Sequence, residues 1–272
     1  MSLSAVAGKL KSLCDSMSAN VASAVSSIAG TSGAGSHIKI GADGTPTKAI
    51  DQIAEEAALA PLRDCGSGFR VLSEEMGESV IGKDPAYFMH LDPLDGTFNA
   101  IHGIPFYAIS IFISDGTTHL AYVRDLVRGT RYYAEPGGGA YREDSSVDPI
   151  KVSGTARLSD FSISAYTMRP RTSRIVGVGD VVRRMRNLGA ASLELCYVAD
   201  GRLDAFIDLR GSLRVVDVIA GILMVEEAGG MVTDSRGEKL HLSRSMWERT
   251  DLIASNGLMH REILELIEGG TH

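Results

Sequence analysis

The 272-residue sequence is poor in cysteine. Cys14, Cys65 and Cys196 lie far apart and form no Cys-x-x-Cys pair. This spacing argues against a disulfide framework and a cysteine-based zinc site, and it fits a reducing compartment. The chain also lacks an 18-residue apolar run, and its first residues lack the basic-then-apolar pattern of a signal peptide. We therefore expect a cytoplasmic protein that does not enter the membrane.

Positive charge is also scarce, since the formal net charge is −7 and no basic stripe is present. This balance argues against a general nucleic-acid surface. It leaves an anionic substrate open, because acids gathered around a divalent cation reverse the local field. With 44% hydrophobic residues, the chain can bury a large core as one domain or two subdomains.

The first half of the chain combines helices with antiparallel strands. Apolar residues spaced by three and four, from Val6 to Ile28, predict a helix over 3–29. A turn-rich loop over His37–Thr47 precedes a second predicted helix, 48–60, which Thr47 can cap. Alternating apolar residues joined by Gly turns predict antiparallel sheet over Phe106–Ala134.

The polar segment Asp144–Pro149 is the best candidate for a boundary. It divides the chain into an N-terminal α+β subdomain, 1–148, and a C-terminal α/β subdomain, 149–272. The second part of the chain alternates between strands and helices. The predicted strands are Phe161–Tyr166, Leu203–Leu209, Met231–Thr233 and Leu252–Ala254, and the predicted helices are Val178–Asn187, Ala190–Ala199, Val215–Ala228 and Leu258–Ile267.

The stretch His90–Asn99 carries the strongest chemical signal. An apolar strand, predicted to end at Pro93, leads into Asp92 and Asp95. Gly96 permits a close backbone approach, and Thr97 can cap a short helix whose free N–H groups attract an anion. Carboxylates bind hard cations, so the stretch indicates metal-assisted phosphate chemistry. The alternative, purely structural interpretation is an Asp-rich turn.

Three further acids have a structural and a chemical interpretation each. Glu74 follows the predicted strand Phe69–Ser73, where it is either solvated charge or a metal ligand. Asp51 and Asp217 open predicted helices, where the helix dipole alone favours an acid. The strand before Glu74 and the strand before Asp92 can lie side by side in one sheet.

Four patches in order resemble the inositol monophosphatase superfamily of magnesium-dependent sugar phosphatases. These patches are Glu74-Glu75, Asp92-Pro-Leu-Asp-Gly-Thr, Gly189–Gly201 and Asp217-Val-Ile-Ala-Gly with Glu227-Ala-Gly-Gly. The loop at Gly41 and the segment Arg210–Arg214 are most similar to the archaeal branch, which acts on both inositol monophosphate and fructose 1,6-bisphosphate. The resemblance implies a layered αβαβα sandwich, a homodimer and a small phosphorylated polyol or sugar as substrate.

The resemblance also implies the metal ligands and the catalytic groups. Glu74, Asp92 and the Leu94 carbonyl are expected to hold a first Mg²⁺, and Asp92, Asp95 and Asp217 a second. Glu74 is expected to help hold a looser third ion. Thr97 and Glu74 are expected to orient the attacking water, assisted by Asp51.

The resemblance implies a phosphate and sugar site as well. Its expected residues are Asp95, Gly96, Thr97, Gly189, Ala191 and Asp208. One extra residue separates Asp208 from Asp217 compared with the inositol-specific branch, so either Asp208 or Arg210 faces the sugar. Arg186 and Arg210 are both candidates to bind a phosphate or a ring hydroxyl. Val216 stands where the family often has Trp, a change expected to affect packing.

The chemistry of the residues supports this reading separately. Carboxylates about 4 Å from a phosphate dianion would repel it by several kcal/mol at an effective dielectric constant near 20. A bound cation is therefore required, and a ligand set of oxygens without His or Cys favours Mg²⁺ or Mn²⁺.

Three alternatives remain. A haloacid-dehalogenase-type phosphatase is disfavoured because its two acids are two positions apart, whereas Asp92 and Asp95 are three apart. A 3′(2′),5′-bisphosphate nucleotidase of the same superfamily uses the same acids and differs on the sugar side. A non-catalytic regulator with this fold is disfavoured by the presence of every expected metal ligand.

Overall fold

Two β-sheets separated by a pair of helices organise the chain in a computed structural model. The structure describes residues 4–41, 46–117, 119–240 and 249–269. Residues 42–45 of the loop expected over His37–Thr47 therefore lie outside the described residues. The described parts on either side of them, His37–Ile40 and Pro46–Lys48, pair as a separate two-stranded antiparallel sheet. Within the described ranges the helices are α1 (Ala5–Ser26), α2 (Ala49–Asp64), α3 (Thr97–Ile101), α4 (Val176–Gly179), α5 (Ala191–Ala199), α6 (Val215–Glu227) and α7 (His260–Gly269).

The strands of the same ranges are more numerous. They are β1 (His37–Ile40), β2 (Pro46–Lys48), β3 (Gly68–Ser73), β4 (Gly77–Ile81), β5 (Pro85–Asp95), β6 (Ala108–Ser114), β7 (His119–Asp125), β8 (Arg131–Glu135), β9 (Gly139–Glu143), β10 (Val147–Pro149), β11 (Ser162–Tyr166), β12 (Arg184–Arg186), β13 (Ala205–Arg214), β14 (Met231–Thr233) and β15 (Arg249–Ser255). None of the described helices is both long and apolar enough to cross a membrane.

The larger sheet has the strand order β10-β9-β8-β7-β6-β5-β3-β4. Its strands are antiparallel except for the parallel pair β3 and β5. Ser73 and Leu91 are partners in that pair, so Glu74, just after β3, and Asp92, within β5, lie side by side. The expected antiparallel sheet and the side-by-side strand ends are confirmed.

The smaller sheet has the order β12-β11-β13-β15-β14. The strand β11 runs parallel to both of its neighbours, whereas β15 runs antiparallel to β13 and β14. The extended β13 reaches Arg214, five residues beyond the predicted end at Leu209. It therefore carries the chain directly into α6.

Three buried cores show how the layers stack. The helices α1 and α2 pack on one face of the large sheet. The helices α5 and α6 fill the space between the two sheets, and α4 and α7 cover the outer face of the small sheet. Each sheet thus buries both faces, and the predicted αβαβα sandwich is confirmed.

Two details near the N-terminus differ from the predictions. Val6 is 40% exposed, and the buried stripe of α1 instead begins at Ala7. Thr47 does not cap α2, because Lys48 is the N-cap residue and the Thr47 hydroxyl donates to the Glu75 carboxylate. The Thr47 side chain, which the local sequence predicts as the N-cap of α2, therefore makes a tertiary hydrogen bond instead.

The predicted helix Val178–Asn187 is wrong. The structure has only the four-residue α4 and then the edge strand β12. The α4 turn carries Gly177 and Gly179, which cost helix stability. The residues Arg184–Arg186 pair with β11, and their exposed side chains suit a sheet edge.

The proposed boundary segment contains a short strand. Val147–Pro149 pairs with β9 at the edge of the large sheet, and the chain reaches the small sheet with β11. The division into subdomains 1–148 and 149–272 stays a prediction.

Candidate active site

The strand β5 carries two of the predicted metal ligands past a local irregularity. Asp92 pairs with Ser110 and Asp95 with Ala108, so the register shifts between the two acids. Pro93 therefore lies within the strand rather than ending it, at a position where the disrupted ladder tolerates its missing N–H. Asp92 is 2% exposed.

Two further acids approach from other elements. Glu74 follows the end of β3, and Asp217 lies in the first turn of α6. Glu74, Asp92 and Asp217 each place a carboxylate oxygen within 4.8 Å of the other two. The structure thus brings together three of the acids predicted as metal ligands.

Burial makes this group electrostatically unstable without a cation. Burial and the charges of Asp217 and Glu75 raise the pKa of Glu74 to about 8, although Arg214 opposes the shift. Burial, together with the charges of Glu74 and Asp95, raises the pKa of Asp92 well above its usual range. The pKa of Asp95 rises to about 7, mainly through burial.

Arg214 supplies the positive charge nearest to these acids. Its Nη2 donates to Glu74 Oε1 at 2.5 Å and lies 2.9 Å from Asp217 Oδ1. Its backbone N–H also donates to Asp217 Oδ2 at 3.1 Å. The sequence analysis did not assign Arg214 to the site, and its contacts with the acids were not foreseen.

The residues present fit a hard divalent cation. Carboxylate oxygens from three elements meet here. Asp92 is buried, and the pKa values of Glu74 and Asp92 are raised although the charge of Arg214 opposes both shifts. Oxygen donors of this kind suit Mg²⁺ or Mn²⁺. Glu74, Asp92 and Asp217 would hold the ion.

Asp95 is positioned differently from the other acids. Its Oδ2 accepts hydrogen bonds from the Ser192 N–H at 2.7 Å and from Ser192 Oγ at 2.6 Å. Because Ser192 lies in the first turn of α5, Asp95 also serves as a cap for that helix. This bond joins the end of β5 to the start of α5.

Thr97 and Asp51 form a polar pair beside the cluster. Gly96, with φ +96°, is the N-cap of α3, so Thr97 is the first helical residue and not the predicted cap. The Thr97 hydroxyl lies 2.8 Å from Asp51 Oδ1 and 3.1 Å from the Leu94 carbonyl oxygen. Burial raises the pKa of Asp51, and the bonds from Thr97 and Lys48 oppose the shift.

Close neighbours and a positive φ require glycine at two of the predicted positions. A Cβ at Gly96 would lie 3.1 Å from the Phe106 carbonyl oxygen. Gly189 has φ +94°, and a Cβ there would lie 2.7 Å from Asn99 Nδ2. That amide nitrogen donates to the carbonyls of Leu188 and Phe106, both at 2.7 Å. Asn99 therefore links the segment after Asp95 to the segment before α5.

These groups line one cavity of about 420 Å³. Ten of its residues were predicted as site residues: Glu74, Asp92, Leu94, Asp95, Gly96, Thr97, Gly189, Ala191, Arg210 and Asp217. Sequence reasoning did not assign the remaining five to the site, namely Tyr166, Ser212, Leu213, Arg214 and Arg249.

Three predicted residues do not line the cavity. Asp51 reaches it only through Thr97. Arg186 lies exposed on the edge strand β12. Asp208 is fully buried and is bound by Arg210, whose Nε lies 3.1 Å from both carboxylate oxygens and whose Nη2 lies 2.6 Å from Oδ2. Of the pair left open by the sequence, Arg210 is the one at the cavity.

Comparison with known proteins identifies the family of this chain. The family model described as "Inositol monophosphatase family" matches residues 11–271. The chain belongs to the inositol monophosphatase family. This family comprises metal-dependent phosphatases of phosphorylated sugars and polyols, and the chain is a phosphoric monoester hydrolase of that family.

Individual members of the inositol monophosphatase family give the degree of similarity. A fructose-1,6-bisphosphatase/inositol-1-monophosphatase of Methanothermobacter thermautotrophicus is 41% identical over 266 residues, covering 93% of this chain and 94% of that one. A bifunctional NADP phosphatase/NAD kinase of Methanococcus maripaludis is 36% identical over 84% of this chain and 44% of its own length. A solved inositol monophosphatase–fructose 1,6-bisphosphatase superposes with a TM-score of 0.83 at 28% identity, covering 94% of this chain and 98% of that one. The predicted archaeal-type resemblance is confirmed.

Proposed function

We propose that this phosphatase is Mg²⁺-dependent and hydrolyses both fructose 1,6-bisphosphate and inositol monophosphate. The observation that carries the proposal is a single cavity lined by acids suited to a cation and by the arginines Arg210 and Arg249. The names of the Methanothermobacter relative and of the solved structure support the choice of substrates.

The acids define where the reacting phosphate binds. Glu74, Asp92, Asp95, Asp217 and the Leu94 carbonyl are the proposed ligands of two Mg²⁺ ions, with a third held more loosely beside Glu74. Bound Mg²⁺ would neutralise the phosphate charge, lower the pKa of a water ligand and stabilise the attacking and leaving oxygens. The Gly96 and Thr97 backbone N–H groups are proposed to bind phosphate oxygens.

Thr97, Asp51 and Glu74 are the proposed groups that orient the attacking water. The Thr97 hydroxyl has Asp51 Oδ1 and the Leu94 carbonyl oxygen within hydrogen-bonding distance. When it donates to either, its oxygen keeps lone pairs that can accept a hydrogen bond from the water. Asp51 fixes the rotamer of Thr97 and thereby the direction of attack, which is in line with the leaving oxygen.

Phosphate release with defined substrates tests this function. We expect release from fructose 1,6-bisphosphate and from inositol 1-phosphate with Mg²⁺, and no release in EDTA. Asp92→Asn is the matched inactive control, because it keeps the side-chain size and removes the charge. Hydrolysis that persists unchanged in EDTA would contradict the metal requirement.

A second candidate is hydrolysis of the 2′-phosphate of NADP⁺. It is favoured by the similarity to the Methanococcus protein named as an NADP phosphatase, and it is close to the nucleotidase alternative raised from the sequence. NADP⁺ and 3′-phosphoadenosine 5′-phosphate belong in the same assay. Release from a nucleotide alone would replace the sugar-phosphate proposal. A homodimer and a cytoplasmic location remain predictions from the sequence.

A further inference from the structure

The Arg210 guanidinium is held in place before any ligand arrives. Its backbone N–H donates to Asp208 Oδ1 at 3.0 Å, and its Nε and Nη2 bind the same carboxylate. Asp208 is fully buried, whereas the Arg210 side chain is 31% exposed. A carboxylate fixed inside the protein thus sets the position of an arginine at the cavity.

A second residue, Tyr166, contacts the Arg210 guanidinium with its ring. The Arg210 Cζ lies 4.6 Å from the centre of the Tyr166 ring, within the range of a cation–π contact. Asp208 engages two of the five guanidinium N–H groups, and no described residue accepts a hydrogen bond from the other three. Tyr166 and Arg210 both line the cavity. The arginine therefore keeps donor capacity for an anion.

The Tyr166 hydroxyl makes two hydrogen bonds of its own, apart from the contact between the ring and Arg210. It donates to the buried Glu194 carboxylate and accepts the Gly189 N–H at 2.8 Å. Glu194 also accepts the Leu188 N–H at 2.9 Å. The hydroxyl thus positions the Leu188–Gly189 backbone at the cavity, while the ring positions Arg210.

We propose that Asp208 and the Tyr166 ring are positioning residues that preset Arg210, and that selectivity for a second phosphate depends on this presetting. This inference rests on the proposed function, in which Arg210 is the candidate ligand of the phosphate remote from the reacting one. Because the guanidinium is already ordered, binding loses little side-chain entropy.

Two substitutions of one residue separate the tasks of Tyr166. Tyr166→Leu removes the ring beneath Arg210, whereas Tyr166→Phe keeps the ring and removes only the hydroxyl. Asp208→Asn tests the carboxylate while keeping its size. Tyr197→Leu is the matched control, because Arg202 stacks on Tyr197 at 5.1 Å and neither residue lines the cavity.

The readout is kcat/KM for fructose 1,6-bisphosphate divided by kcat/KM for fructose 1-phosphate. We expect Asp208→Asn and Tyr166→Leu to lower this ratio about tenfold, chiefly through KM for the bisphosphate. Tyr166→Phe should lower both values alike and keep the ratio within about twofold. Tyr197→Leu should leave the ratio at the wild-type value. An unchanged ratio in both Asp208→Asn and Tyr166→Leu would overturn the inference.

Calorimetry separates this inference from the proposed function. The affinity for fructose 1,6-bisphosphate is compared with that for inorganic phosphate, each with Mg²⁺ present. The inactive Asp92→Asn background is used so that the bisphosphate is not hydrolysed, with Tyr166 and Asp208 either unchanged or substituted as above. If the wild type hydrolyses neither sugar phosphate, the proposed function fails. A tenfold selective loss of bisphosphate affinity in Tyr166→Leu would still support the inference, and equal losses for both ligands would refute it.

Discussion

The two halves of the cavity wall balance their charges in different ways. The carboxylate cluster (Glu74, Asp92, Asp95 and Asp217) buries acids whose mutual repulsion one arginine only partly offsets. The arginine unit (Tyr166, Asp208 and Arg210) contains one acid, one base and a ring in mutual contact. The carboxylate cluster therefore needs a cation to balance its charge, whereas the charges of the arginine unit already balance each other.

This difference separates the source of catalysis from the source of selectivity. A group of like charges gains most from an ion that enters with the reacting phosphate. A preset ion pair gains little from a metal and instead presents fixed donors to the remainder of the substrate. Changes in the cluster should therefore affect every substrate, and changes in the unit should affect some substrates more than others.

The largest effect is expected for Asp92→Asn. Removing a ligand that belongs to both proposed metal positions should lower kcat by about a thousandfold or more for all substrates, a loss of about 4 kcal/mol of transition-state stabilisation. Fold integrity is checked by circular dichroism. In EDTA the variant should melt at a higher temperature than the wild type, because one buried like charge has been removed. Wild-type turnover at saturating Mg²⁺ would contradict the ligand assignment.

The cluster also predicts a pH dependence of stability in EDTA. Asp and Glu titrate near pH 4 in an unfolded chain, whereas the folded, metal-free protein holds protons up to about pH 7 on Asp95 and about pH 8 on Glu74. The folded state therefore binds more protons between pH 5 and 8, and the free energy of unfolding falls as the pH rises through this window.

Thermal melts at pH 5.5, 7 and 8.5 measure this decline. Each kcal/mol lost should lower the melting temperature by about 2–4 °C. Mg²⁺ should reverse the trend, because the cation binds the deprotonated acids and at a hundred times its Kd stabilises the fold by about 2.7 kcal/mol. A melting temperature that rises with pH in EDTA would contradict the raised pKa values.

A smaller effect is expected for Thr97. Thr97→Val keeps the shape and removes the hydroxyl that bonds Asp51, so kcat should fall by about a hundredfold with KM within a factor of about three. Thr97→Ser is the matched control and should retain most of the activity. Equal activity in the two variants would remove the hydroxyl from the reaction.

The arginines give the smallest effect and the most direct test of the comparison. Arg210→Ala should weaken hydrolysis of the bisphosphate about tenfold more than that of inositol monophosphate. Arg186→Ala should leave both close to wild type, since that side chain is exposed on β12. Equal losses on both substrates in Arg210→Ala would place Arg210 outside the second-phosphate role.

The acids of the cluster could be predicted because their signals are local. Asp92 and Asp95 share one short motif, and Glu74 and Asp217 each stand at the end or start of a recognisable element. That the ends of β3 and β5 lie side by side could be anticipated, because the two strands are close together in the sequence. The layered fold followed from the resemblance and from the alternation of elements.

The arginine unit was harder to predict, because it depends on strand pairing. Tyr166 and Asp208 are register partners in β11 and β13, and nothing near Tyr166 in sequence indicates this. Arg249 meets Arg214 only through the pairing of β15 with β13. The failed helix over Val178–Asn187 has the same origin, since pairing with β11 outweighed local apolar spacing.

The separation of the acids along the chain has a consequence for biosynthesis. Glu74 and Asp217 lie more than 140 positions apart, and α6 is packed between two sheets that form from different halves of the chain. A ribosome releases Glu74 and Asp92 long before Asp217. A nascent chain therefore carries only part of the proposed ligand set, and the complete set for an ion would form only when α6 has packed between the two sheets.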